Sequence, residues 1–145
     1  MQQRFESFMS GITACYKYVQ RIKIGEMTEL GLKGAHAMCL YFLKNSQDGL
    51  TAGELCRLCN EDKAAISRSL ATLREKGYID GIGKAAYRIR WKLTDEGQRV
   101  AQHVDTLVEQ WVACCGEGIT DEERDTFYRV LECISAHLRE NCESE

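Results

Sequence analysis

Two residue pairs in the first half of the chain have the spacing of metal ligands. They are His36-x-x-Cys39 and Cys56-x-x-Cys59, and sixteen residues separate them. Zinc sites are often built from two such pairs, because four nitrogen or sulfur ligands must converge on one ion. The competing interpretation places both pairs on the inner faces of amphipathic helices, where free cysteine behaves as a small apolar residue. We favour the second interpretation and predict no metal and no cofactor.

The remaining thiols raise the question of redox chemistry, since the chain has eight cysteines in 145 residues. A chain of this length buries about two-thirds of the surface that its unfolded form exposes, so it does not need disulfides. No signal-peptide pattern and no uncharged window of about 20 residues is visible. We therefore expect a cytoplasmic protein with reduced thiols and no membrane partner. Cys15 is the candidate redox-active thiol, a role that requires solvent access.

Enzymatic function has little support in the sequence. The three histidines are scattered along the chain, at positions 36, 103 and 137. Neither a nucleophile motif nor a glycine-rich phosphate-binding loop is present. We predict that the protein is not an enzyme.

Charge is distributed unevenly along the chain, whose formal net charge is −3. Residues 62–92 carry eight Lys or Arg and three acids, whereas residues 93–145 carry four Arg and thirteen acids. A basic segment inside an acidic protein is typical of a surface that binds an anionic partner. The alternative is a solvated face that happens to be basic.

The elements that must position these residues are mostly helices. The chain has no proline, and apolar residues recur at three- and four-residue steps. Thr51-x-x-Glu54 and Thr120-x-x-Glu123 fit capping boxes at helix starts, and Asp62 is a further candidate cap. The predicted helices cover residues 4–24, 33–44, 51 to about 59, 63–76 and about 95–115, and a last helix follows Thr120.

The period changes from 3.6 to 2 at residues 87–93, which read YRIRWKL. This alternation predicts a half-buried strand whose outer face is cationic. Tyr78-Ile79 is the predicted partner strand, and residues 80–86 are predicted to form the connection of the hairpin. The fold class is therefore mainly α with a small β-hairpin.

The middle of the chain has the order of a helix-turn-helix followed by a hairpin wing. A short helix, a turn at Asn60 and a second helix with a small and basic outer face satisfy what a major-groove helix needs. Arg68 can contact a base edge, and Lys63 and Ser67 can contact phosphates or bases. The residues predicted to bind DNA are Lys63, Ala64, Ala65, Ser67, Arg68, Ser69 and Thr72 on the helix, and Lys84, Arg88 and Arg90 on the hairpin.

The run LTAGELCRLCNEDKAAISRSLATLREKGYI, with the later WKLTDEGQRV, resembles the MarR family of bacterial transcriptional regulators. The resemblance implies a winged helix-turn-helix homodimer that binds a pseudo-palindromic operator, and many such proteins release DNA when a small molecule or an oxidant arrives. One feature departs from the family: its wings often carry an acid that holds a wing arginine, and residues 84–88 contain none.

The resemblance and the charge pattern together give the predicted organisation. We expect one domain over residues 1–145, with a DNA-binding part at 33–93 and dimerisation helices at 1–32 and 94–145. The expected function is a ligand- or stress-responsive repressor that binds double-stranded operator DNA as a homodimer, with a small-molecule effector of unknown identity. The alternatives are a thiol-based redox or metal-sensing regulator, and a protein-interaction module that does not bind DNA.

Overall fold

A computed structural model describes residues 2–28, 30–83 and 89–142, with the backbone alone for residues 2 and 22–28. The helices are α1 (Gln2–Thr28), α2 (Gly34–Lys44), α3 (Ala52–Cys59), α4 (Lys63–Glu75), α5 (Asp95–Cys115) and α6 (Asp121–Cys142). The strands are β1 (Leu50–Thr51), β2 (Ile79–Ile82) and β3 (Arg90–Leu93). They form one antiparallel sheet in the order β1-β3-β2. The predicted fold class, a mainly helical winged helix-turn-helix, is confirmed.

The chain divides into two compact units, residues 1–107 and residues 108–145. The first unit contains the helix-turn-helix and the sheet. Its largest fully buried side chains come from α2, α3, α4 and β2, and each leucine or isoleucine among them contributes about 1.5–3 kcal/mol by leaving water. They are Cys39, Leu40, Leu55, Ile66, Leu73 and Ile79.

Several elements differ from the sequence prediction. Helix α1 continues to Thr28 and does not end at Gly25, because a glycine inside a helix weakens it by only about 1 kcal/mol. Strand β1 was not predicted, since two residues are too few to show a period. Strand β2 extends to Ile82 and includes Gly81.

Gly81 was read as part of the connection of the hairpin, and it has a packing role instead. A Cβ at this position would lie 2.8 Å from Ile89 Cγ2 and 3.4 Å from the Trp91 ring. The glycine therefore lets these two side chains cover the strand, which is a common use of glycine in a sheet. Residues 84–88, on which part of the predicted strand falls, lie outside the described residues.

The start of α5 is hydrogen-bonded to Gly77 and Tyr78, the residues that follow the end of α4. Thr94 donates its backbone N–H to the Tyr78 carbonyl at 3.0 Å. Its hydroxyl donates to the Gly77 carbonyl at 2.6 Å and accepts from the Gly97 N–H at 3.0 Å. Thr94 thus caps α5, as predicted, and joins it to the residues that lead into β2.

The second unit contains the end of α5 and the whole of α6. The predicted capping box at the start of α6 is present, with the Thr120 N–H donating to Glu123 Oε2 at 2.9 Å and the Glu123 N–H donating to Thr120 Oγ1 at 3.3 Å. No residue of α6 is buried. Three residues of its predicted apolar stripe, Phe127, Val130 and Leu138, are exposed. None of the described helices combines the length and the apolar character needed to cross a bilayer.

Candidate nucleic-acid interface

The turn between α3 and α4 is fixed by its own residues. Asn60 ends α3 in the left-handed conformation, with φ 52° and ψ 46°, which asparagine tolerates better than most residues. The Glu61 N–H donates to the Cys56 carbonyl at 3.1 Å. Asp62 then caps α4, because its carboxylate accepts the Ala65 N–H at 2.7 Å. These contacts place α4 immediately after α3, as in a helix-turn-helix.

Helix α4 presents a small and cationic face to solvent. The exposed side chains of its first half are Lys63, Ala64, Ser67 and Arg68. Within the part of the chain that the structure describes, the side chains of Lys63, Ser67 and Arg68 have no hydrogen bond or ion pair. Their donors are therefore available to phosphates and base edges. The opposite face of the helix is buried through Ile66, Leu70 and Leu73.

The other predicted residues of α4 are less exposed. Ala65 and Thr72 are half-buried. Ser69 is only 3% exposed, a position that does not favour the DNA contact predicted for it. Its position explains the burial: Ser69 lies three residues after Ile66 and four before Leu73, and such neighbours share a helix face.

Of the three cations predicted to bind DNA from the hairpin, Arg90 lies among the described residues. Lys84 and Arg88 lie outside the described residues. Arg90 is described, and its guanidinium is engaged within the protein: Nε donates to the Asp48 carbonyl at 3.0 Å and Nη2 donates to the Gly49 carbonyl at 2.7 Å. Two of the five guanidinium donors of Arg90 therefore already have acceptors, and its DNA contact stays a prediction.

Comparison with known proteins identifies this arrangement. Residues 30–82, which include the helix-turn-helix and β2, match the sequence model of the MarR family. The helix-turn-helix part of the chain is therefore similar to that of the MarR family. A transcriptional regulator of that family from Silicibacter pomeroyi is 27% identical, with a TM-score of 0.73 over 90% of this chain and 86% of that chain. A comparison with curated proteins found no match.

Two further structures show that the fold is shared at lower identity. A MarR family regulator from Listeria monocytogenes, complexed with 26mer DNA, is 18% identical, with a TM-score of 0.79 over 92% of this chain and 89% of that chain. MepR of S. aureus in its DNA-binding conformation is 16% identical, with a TM-score of 0.82 over 90% of this chain and 98% of that chain.

The candidate zinc ligands have structural partners within the protein. His36 Nδ1 accepts the Lys33 N–H at 3.0 Å and so helps to cap α2. Burial, assisted by the charges of Lys33 and Lys76, holds the pKa of His36 below its usual value. Among the described residues, no group of three or more His, Cys, Asp or Glu is arranged to hold a metal ion.

The Cys39 thiol is fully buried and has Cys59 as its hydrogen-bond partner. This hydrogen bond, followed by burial, raises the pKa of Cys39 well above its ordinary value. Such a thiol stays protonated and is a poor nucleophile. Cys15, the candidate redox residue, is exposed on α1, and its reactivity stays a prediction.

Glu54 is a residue whose full role the sequence did not reveal. The prediction made it a helix cap, and it is one: Glu54 Oε2 accepts the Thr51 N–H at 2.7 Å and the Thr51 hydroxyl at 2.9 Å. The same oxygen also lies 3.7 Å from Arg90 Nη2. The sheet register pairs Thr51 with Arg90, and a two-residue strand gave no sequence signal from which this contact could be expected.

Proposed function

We propose that this protein is a sequence-specific, DNA-binding transcriptional regulator and not an enzyme. One observation carries the proposal: α4 exposes Lys63, Ser67 and Arg68 without partners in the described part of the chain, beside the small side chain of Ala64. A helix that enters the major groove needs small residues for close approach and free donors for phosphates and bases. The DNA complex of the Listeria monocytogenes relative supports the same use of the fold.

The proposal includes a homodimer. Helix α1 exposes large apolar side chains, of which Phe5 is 65% and Tyr16 66% exposed, and α6 exposes Phe127 at 55%. Exposed apolar groups of this kind usually mark an interface. A twofold dimer would also present two copies of α4 to half-sites about 34 Å apart on DNA.

Repression and a response to an effector complete the proposal. A small molecule that binds one arrangement of the dimer better than the other would shift the population between DNA-binding and released forms. Repression is the simplest outcome of occupying an operator, and a regulator that reaches such an operator in a bacterium acts in the cytoplasm. The family resemblance supports these steps.

The test is selection of duplexes from a random library by the purified full-length protein, followed by sequencing. We expect an enriched motif made of two half-sites related by a twofold axis and separated by about one helical turn. Light scattering after gel filtration should give twice the mass of one chain. A library that shows no enrichment after repeated rounds would contradict DNA-sequence recognition, and a monomeric mass would contradict the dimer.

A further inference from the structure

The Arg90 side chain links strand β3 to the turn before β1 and to α3. Arg90 bonds to two successive carbonyls, those of Asp48 and Gly49, at 3.0 and 2.7 Å, and its Nη2 lies 3.7 Å from Glu54 Oε2. We propose that Arg90 and Glu54 form a positioning pair that fixes the β2–β3 wing against α3, and that Arg90 acts on DNA binding without contacting DNA. This inference rests on the proposed function.

Thr51 holds the carboxylate of Glu54 in place independently of Arg90. Glu54 Oε2 accepts both the N–H and the hydroxyl of Thr51, and Thr51 pairs with Arg90 across the β1–β3 ladder. The hydrogen bonds from Thr51, with help from the Arg90 charge, keep the pKa of Glu54 below its usual value. The group is therefore ionised at neutral pH and faces the guanidinium from a fixed position.

The turn that Arg90 contacts also packs directly against β3. Gly49 has φ 73°, and a Cβ at this position would lie 2.4 Å from the Trp91 carbonyl oxygen. Lys92, on the same face of β3 as Arg90, donates to the Gln47 carbonyl at 3.2 Å. Two cations of one strand thus bond to three successive carbonyls of one tight turn.

This geometry argues against a direct DNA contact by Arg90. The planar guanidinium offers its donors in a fixed fork, and to face a phosphate it would have to leave the carbonyls of Asp48 and Gly49. Its charge is also partly offset by Glu54. The wing lacks an acid at residues 84–88, and Glu54 provides the carboxylate from α3 instead.

Salt dependence of DNA binding distinguishes positioning from contact. The probe is the duplex enriched by selection, and affinity is measured by fluorescence anisotropy across a series of NaCl concentrations. For Arg90→Ala we expect about a tenfold loss of affinity and an unchanged slope of log K against log salt. Lys63→Ala, the control for a phosphate contact, should reduce the magnitude of that slope by about 0.9.

Glu54→Gln provides a test in which a purely electrostatic effect and loss of the positioning pair predict opposite changes in DNA affinity. Glutamine can replace glutamate in a capping box, so α3 keeps its cap. Removing a negative charge near DNA would strengthen binding by electrostatics alone, whereas loss of the positioning pair weakens it. We expect weaker binding, and we expect the double variant with Arg90→Ala to be no weaker than Arg90→Ala, because the two residues act as a unit.

Two further measurements exclude a purely structural role. Hydroxyl-radical footprinting of the Arg90→Ala complex should lose protection at the wing and keep protection at the α4 half-site, whereas a smaller folded fraction would lower both equally. If Arg90→Ala does not fold, Arg90→Lys replaces it: a phosphate contact would tolerate lysine, and a positioning fork would not.

The outcomes separate this inference from the proposed function. A reduced salt slope for Arg90→Ala, tighter binding by Glu54→Gln, or near-normal affinity of Arg90→Lys would overturn the inference while the wild-type protein still binds its duplex. A wild-type protein that enriches no duplex would overturn the proposed function, and the inference with it.

Discussion

Gly97 in the first turn of α5 allows a backbone contact that no other residue permits. A Cβ at this position would lie 1.8 Å from the Tyr78 carbonyl oxygen and 2.8 Å from the Tyr78 carbonyl carbon. Both are backbone atoms, so a side-chain rotation cannot relieve the clash. The Tyr78 carbonyl also accepts the Thr94 N–H, and a shift of α5 that is large enough for a methyl group would break this hydrogen bond.

The expected cost of Gly97→Ala follows from these contacts. Overpacking costs about 1–3 kcal/mol, and loss of the Thr94 hydrogen bond adds about 1 kcal/mol. Alanine returns about 0.5–1 kcal/mol through its higher helix propensity. We therefore expect a net destabilisation of about 1–3.5 kcal/mol, which corresponds to a lower melting temperature by about 3–15 °C.

The assay is urea unfolding followed by circular dichroism, with wild type and variants at the same chain concentration because an oligomer's stability depends on it. Gly53→Ala in α3 is the matched control, since a Cβ at Gly53 meets no atom within 4 Å. The same chemical change should stabilise the protein there by about 0.5–1 kcal/mol. A Gly97→Ala variant that is as stable as wild type would refute the reasoning.

Two more predictions concern the first unit, and both are measured as free energies of unfolding. Lys44→Ala should destabilise the protein by about 1–3 kcal/mol, because its ion pair with Asp105 is about four-fifths buried on both sides. The control is Arg99→Ala, which breaks an exposed ion pair and should change stability by less than about 0.5 kcal/mol. Equal losses for the two variants would contradict the burial argument. Burial lowers the pKa of His36 in the folded state, so its stabilising effect is present above its ordinary pKa of 6.5 and is lost as the pH falls below that value. His36→Gln, whose amide oxygen can still accept the Lys33 N–H, should be less sensitive to pH between about 7 and 5, and a pH profile equal to that of wild type would show that another group is responsible.

The sequence predicted the helix-turn-helix because local chemistry determines it. Thr51 with Glu54, Asn60 and Asp62 each specify a helix end through contacts within four residues of the chain. The spacing of Ile66, Leu70 and Leu73 then specifies which face of α4 is buried. Such short-range signals are independent of how the rest of the chain packs.

The wing was predicted less well because its geometry depends on contacts distant in sequence. Alternation placed Arg90 on one face of a strand, but it gave no information on what lies opposite that face. The partners proved to be carbonyls more than forty residues earlier in the chain. The burial of Ser69, by contrast, could have been predicted from the sequence, because helical spacing places it on the same face as Ile66 and Leu73.

The most direct test of DNA recognition by α4 is the effect of Arg68→Ala on two duplexes. One is the duplex enriched by selection, and the other has the same composition in scrambled order. If Arg68 contacts a base, its loss should weaken binding to the selected duplex by about 1–3 kcal/mol and binding to the scrambled duplex by much less. Equal effects on both duplexes, or no effect on either, would contradict the account.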